Sequence, residues 1–272
     1  MWRRMHTNHS DDGRKHDITP IFVFNGLALP RKDKPFSIED TRPNVRNMGW
    51  KSLWNGNQTQ ALETWVHANS VYATDLVPLV IRTLQKNGVE FIRAPYSAMG
   101  QLEYLYNHRK QPIHAVYGFP GQLMFNVDRV ITEINFEKET FSWVTKYSVL
   151  HDLRISKEQL LDICILAGFD WCPTFPPLDK YNVFTFKSVH EIVKSHYTGH
   201  NVIQAYLEDP DVKHSNYYDA YCRAYCAIKY HLVLRDDGVV CPLNATNVPG
   251  DLHEIFGCRL PDWVYQHMAR GL

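Results

Sequence analysis

One short segment sets the first limit on the fold. ITPIFVFNG (18–26) carries a short apolar run, Ile18 to Phe24, rich in β-branched and aromatic residues. It stops at Asn25-Gly26, a turn-forming pair. A run apolar on both faces reads as a buried strand of a parallel sheet, not as one half-solvated strand of an antiparallel sheet.

The chain downstream keeps to that class. Residues 27–57 are rich in Pro, Asn and charge and read as an irregular insertion. Helical periodicity returns before Gly88, with Asp75 as a candidate cap, Pro78 in the first turn and Gly88 at the C-terminal end. GVEFIRAP (88–95) is a second strand. SAMGQLEYLYNHRK (97–110) is a helix with Leu102 and Leu105 inward, and IHAVYG (113–118) a third strand. Residues 129–146 alternate across a Glu-Lys-Glu tip, the pattern of a β-hairpin. In ISKEQLLDICILAGFD, Ser156 and Gln159 form a capping box and Gly168 ends the helix. The prolines of CPTFPPLDK break the pattern. Beyond them, Ser188 with Glu191 reads as another capping box, Gly199 as a stop, and PDWVYQHMARG as a short helix from Asp262. Strand and helix alternate in the order of a parallel α/β sheet. The expected organisation is a polar leader (1–17), an α/β domain (18–180) and a helical extension (181–272).

Charge narrows the function. Lys+Arg and Asp+Glu both number 29, so the formal net charge is zero. That disfavours a protein that grips nucleic acid by bulk positive charge. Arg3, Arg4, Arg14 and Lys15 of the leader are offset by Asp11, Asp12 and Asp17. No apolar run approaches the roughly 20 residues of a bilayer span, and the leader does not read as a secretory signal. The six cysteines, at 164, 172, 222, 226, 241 and 258, form no C-x-x-C pair and are expected as reduced thiols.

Three segments in order, PIFVFNG, APYSAMGQ and LLDICILAGFDWC, resemble those that build the active site of flap-endonuclease (XPG-type) nucleases of the wider PIN-like fold. The match covers roughly residues 18–175. YGFPGQLMF, the PPL after Asp170 and the closing CRLPDWVY resemble, more particularly, the maintenance-of-killer-toxin family of fungal post-transcriptional regulators. The resemblance implies a PIN-like, mostly parallel sheet flanked by helices, with a hairpin and a C-terminal helical extension. The family's first strand should lie upstream of Ile18 and is expected to be missing, which would expose ladder groups and weaken the fold.

Active relatives cut phosphodiesters with two divalent ions held by about half a dozen carboxylates. At the matching positions this chain has Asn25, Ser97, Met99 and the carboxylate-free stretch Phe119–Gln122 with Gly121; only Asp170 survives. A thioether is too soft a ligand for Mg²⁺. Ser97 reads as a helix cap, Glu103 as solvent-facing, Asp170 as a turn residue. No Gly-x-Gly turn follows the Asp170 loop, so a helix-hairpin-helix DNA clamp is not expected. Residues 27–57 read as too proline-broken and too mixed in charge for a substrate-threading arch.

The expectation is therefore a nuclease fold without catalytic residues, cofactor or metal. The resemblance implies post-transcriptional regulation in the cytoplasm, on mRNA reached indirectly. It implies as partner an ataxin-2-like protein that binds the poly(A)-binding protein, and no membrane. Two other readings stay open. One is an active Mg²⁺-dependent structure-specific endonuclease on DNA or RNA. The other is a direct RNA-binding module built on the helix bearing Tyr217, Tyr218, Tyr221 and Tyr225. Core packing of those tyrosines, and of Cys222 and Cys226 near His231, is preferred to base stacking or to a zinc site. His190, His196 and His200 read as surface or cap residues.

Overall fold

A computed structural model describes residues 18–29, 42–69, 76–108, 112–179 and 185–272. The leader, with its Arg and Asp residues, and Asp75 lie outside them. Two compact units are present: residues 33–89, and residues 1–32 with 90–272.

In the smaller unit, helices α1 (Arg42–Trp54) and α2 (Gln58–Asn69) are followed by α3 (Val77–Lys86). The irregular insertion expected over 27–57 is thus helical from residue 42. Pro43 falls at the helix start, where a missing N–H costs nothing. Helix α1 contains Arg42, Arg46 and Lys51 and no acid, so it is more basic than the composition of 27–57 suggests. Gly49 lets α2 approach: a Cβ there would lie 2.2 Å from the Trp65 Nε1. Trp65 in turn meets Trp50 edge-on. Leu76, at the N-cap of α3, makes no side-chain cap bond, and Pro78 sits in the first turn.

In the larger unit, β1 (Ile21–Phe24) pairs in parallel with β2 (Glu90–Arg93), Phe22 opposite Phe91. β3 (Val116–Tyr117) pairs in parallel with β4 (Arg129–Asn135), and β4 pairs antiparallel with β5 (Thr140–Thr145), the expected hairpin. Among the described residues no ladder joins these two sheets. The parallel strand pairs thus lie in two small sheets, and β1 is half-buried where full burial was expected.

Local caps set the helices. In α4 (Ala98–His108) Leu105 is buried and Leu102 half-buried, as the periodicity requires. α5 (Lys146–Leu153) follows the hairpin, capped by Thr145. α6 (Lys157–Ala167) carries the Ser156–Gln159 capping box and ends at Gly168, with φ of 92°. The prolines after Cys172 lead into a one-turn helix, α7 (Pro176–Asp179).

The region after 181 differs in three ways from its sequence reading. Thr185, not Ser188, caps α8 (Phe186–His196): the Ser188 N–H donates to Thr185 Oγ1 at 3.2 Å. Gly199 does not stop that helix but opens α9 (Gly199–Ala205), which Thr198 caps, while the reversal falls on Tyr197 at φ 70°. The extension is also not purely helical. After α10 (Pro210–His214) and α11 (Tyr217–Lys229), a second hairpin joins β6 (Leu232–Leu234) to β7 (Val240–Pro242). Helices α12 (Leu252–Phe256) and α13 (Asp262–Ala269) follow.

The main hydrophobic cluster joins Leu160, Ile163, Leu166 and Phe175 to Val189, Val193, Val202, Tyr217 and Tyr221. The residues before 180 and those after 185 thus share one core. No helix among the described residues is long and apolar enough to cross a membrane.

Candidate functional site

The β1 and β2 ends meet the start of α4, where Asn25, Ser97 and Met99 come together, three of the positions at which the resemblance implies acids in active relatives. Gly26 is required for that meeting: its N–H donates to Tyr96 O at 2.7 Å, and a Cβ would lie 1.9 Å from Ala94 O. Asn25 Oδ1 accepts the Ala98 N–H at 2.8 Å. Ser97 Oγ accepts the Met99 N–H at 3.2 Å, the N-cap role read from sequence. Met99 packs its side chain against the main core, and its carbonyl accepts from Gln122 Nε2 at 2.7 Å. Gly121 lies in the 3₁₀ turn Pro120–Met124 beneath the Phe119 ring, whose Cε1 would be 2.3 Å from an added Cβ.

The centre of this arrangement is a residue to which the sequence reading gave no functional role. His231 is fully buried. Its Nδ1 lies 2.9 Å from Ala227 O, and its Nε2 lies 3.1 Å from Ser97 N. A carbonyl can only accept and an amide N–H can only donate. Nδ1 therefore carries the proton, and bare Nε2 accepts from Ser97. Trp171 stacks on the ring at 5.6 Å and 5°, while Phe125 and Phe256 meet it edge-on. Burial in this aromatic cage holds the imidazole neutral, its pKa lowered to about 4, against the opposing effect of the Ala227 hydrogen bond. Both nitrogens are committed, so His231 has no lone pair to give a zinc ion beside Cys222 and Cys226.

Gly100 is the sequence signal for this contact. A glycine inside α4 has a packing reason: a Cβ there would lie 2.1 Å from His231 Cδ2. One residue on, Gln101 completes the joint. Its amide donates to Leu234 O and accepts from Leu234 N, both at 2.9 Å, pairing with the strand as another peptide group would.

The remaining acids do not converge. Asp170 is exposed, in a two-residue turn closed by the Phe169–Cys172 bridge. Glu103 is not solvent-facing as expected but half-buried, because α4 turns that side toward Lys146. Burial raises the Glu103 pKa, while a hydrogen bond from the Asn126 backbone and the Lys146 charge oppose the rise. Lys146 is itself buried, donates to Phe125 O at 2.6 Å, and has its pKa lowered by desolvation. Among the described residues no three His, Cys, Asp or Glu side chains are grouped to hold a metal ion. A pair of hard cations needs several free carboxylate oxygens. The donors at the matching positions are an amide oxygen already bonded, a capping hydroxyl already bonded and a thioether, and they do not fit one.

The tyrosine helix faces the core. Tyr217 and Tyr221 are buried; Tyr217 Oη donates to Pro173 O at 3.1 Å, and Tyr221 Oη donates to Asp162 Oδ1 at 2.6 Å. The second Asp162 oxygen accepts from Gly199 N at 2.8 Å. Neither ring is available as a stacking platform; Tyr218 is exposed and Tyr225 half-buried. His190 is half-buried, with Nε2 3.0 Å from Leu153 O. His196 Nδ1 lies 3.0 Å from Ile192 O, and His200 meets Tyr218 edge-on. All six cysteines are free thiols.

No family model matches the chain. It is 35% identical over 95% of its length to the post-transcriptional regulator MKT1 of Cryptococcus neoformans, covering 35% of that protein. It is 30% identical over 95% of its length to the mkt1 regulator of Schizosaccharomyces pombe, covering 38%. The chain therefore spans a little over a third of the length of these curated relatives. The solved flap endonuclease-1 from Methanococcus jannaschii matches 77% of this chain and 62% of its own, with a TM-score of 0.50 and 21% identity. By sequence, this chain is a relative of the MKT1 post-transcriptional regulators, built on the flap-endonuclease fold.

Proposed function

We propose that this chain is a catalytically empty nuclease fold that serves a post-transcriptional regulator as an interaction scaffold in the cytoplasm. One observation carries the reading. The polar groups at the positions where the resemblance places carboxylates are committed to local hydrogen bonds: Asn25 holds the Ala98 N–H, Ser97 caps α4, and the Ser97 N–H is held by His231. A site arranged this way stabilises the helix start and leaves no oxygen cluster for a phosphodiester and its metals. The regulatory role is supported by the names of the relatives and extends to this chain as a proposal. Its partner, by resemblance, is an ataxin-2-like protein that binds the poly(A)-binding protein, with mRNA reached through it.

Tethering the chain to a reporter mRNA tests this reading. The expected result is a change in reporter half-life or translation that Asp170→Ala leaves intact. A regulatory effect that disappears with Asp170→Ala, together with an internally cut reporter, would replace the scaffold by an endonuclease.

A further inference from the structure

Among the described residues β5 is the outermost strand of its sheet, so one row of its backbone N–H and C=O groups lacks a ladder partner. Such edges are usually guarded by a charge, a proline or a bulge. The strand reads TFSWVT and has none of these; the bulge of this hairpin lies on β4, between Ile131 and Glu133. Thr140 to Trp143 are all exposed, with Phe141 at 61% and Trp143 at 56%. The register places Tyr117, Ile131 and Trp143 in one row across the sheet. The opposite row, Val116, Val130 and Val144, faces the core. Tyr117, Phe141 and Trp143 thus share the outer face, and Tyr117 is 62% exposed.

We propose that the β5 edge is a pairing surface for a second copy of this chain. A two-fold axis normal to a sheet sets an edge strand antiparallel to itself, so any charge on the strand comes close to its own copy. A strand that meets a foreign partner can carry charge matched by that partner; self-pairing favours a neutral one. All six residues of β5 are neutral, and the whole chain has zero formal net charge to oppose association.

The same symmetry fixes the register. With the axis through Ser142, Phe141 lies opposite Trp143 of the second copy, and Trp143 opposite Phe141 of the second copy. Thr140 then lies opposite Val144 of the second copy. Both aromatic pairs fall on the outer face, because the axis preserves the alternation of the strand. Aromatic cross-strand pairs favour association. An axis through Trp143 would set Phe141 against a threonine and lose them.

Sedimentation of the whole chain from low to high micromolar tests the proposal. The expected result is a concentration-dependent dimer. Phe141→Lys and Trp143→Lys should each weaken it at least about tenfold, with circular dichroism and the melting of the dilute monomer unchanged because both positions are exposed. Register is read by mild oxidation. Ser142→Cys should form an intermolecular disulfide, located by peptide mapping against the native cysteines, faster than Thr140→Cys, since only position 142 faces itself. A chain that stays monomeric throughout would overturn the proposal. So would a dimer untouched by Trp143→Lys, or equal cross-linking at both positions.

Discussion

Acidification should loosen this protein through His231. The imidazole is neutral in the fold with a pKa of about 4, because it is buried among aromatic rings, and its ordinary value is 6.5. The folded value is the lower one, so the unfolded chain takes up a proton that the folded chain refuses. The stability linked to this group is therefore complete above about pH 6.5 and is lost as pH falls toward 4. A gap of about 2.5 pKa units corresponds to about 3 kcal/mol, of which about 2 kcal/mol is gone by pH 5. For a unit of this size the full loss lowers the melting temperature by about 6–12 °C. Glu103 and Asp162 have pKa values raised by burial and act in the opposite sense, so the wild-type curve alone mixes several groups. The assay is urea unfolding at half-unit steps from pH 7 to 4, for wild type and His231→Gln. Glutamine keeps an acceptor for the Ser97 N–H but does not titrate. Wild type should lose about 3 kcal/mol more than the variant across the window. Parallel curves would show that His231 is not held neutral in the fold.

Other substitutions probe the same core. Tyr221→Phe removes the donor to Asp162 Oδ1 and leaves a buried oxygen unpaired, which should cost about 1–3 kcal/mol in urea unfolding. Gly100→Ala forces a methyl into the His231 ring and should cost about 1–3 kcal/mol, while Ala98→Gly should cost at most about 1 kcal/mol. Thr185→Ala should cost about 1 kcal/mol and Ser188→Ala much less, because Thr185 is the residue that caps α8.

What the sequence revealed followed how local each feature was. The Ser156–Gln159 box and the Gly168 stop were legible because both partners of each bond lie within four residues. Ser188–Glu191 has the same spacing but is not a cap, since Thr185 three residues earlier offers a hydroxyl at the point where the backbone turns helical. That Asn25, Ser97, Met99 and Gly121 are not acids could be read directly from residue identity. What now fills the place could not. Ser97 and His231 are 134 residues apart, and Gln101 and Leu234 are 133 apart, and no local pattern pairs them. Gly100 was the available clue: a glycine in a helix asks what sits against it. Glu103 was misread for a related reason, because helical spacing does not show that Lys146, from a later element, is nearby.

Cleavage is the most direct test of the central claim, that the flap-endonuclease fold here carries no nuclease chemistry. The purified chain is incubated with Mg²⁺ or Mn²⁺ and with flap DNA, single-stranded DNA and single-stranded RNA, beside Asp170→Ala. The account expects no metal-dependent product above buffer and no difference between the two proteins. Metal-dependent cleavage by the wild-type chain that Asp170→Ala abolishes would contradict it.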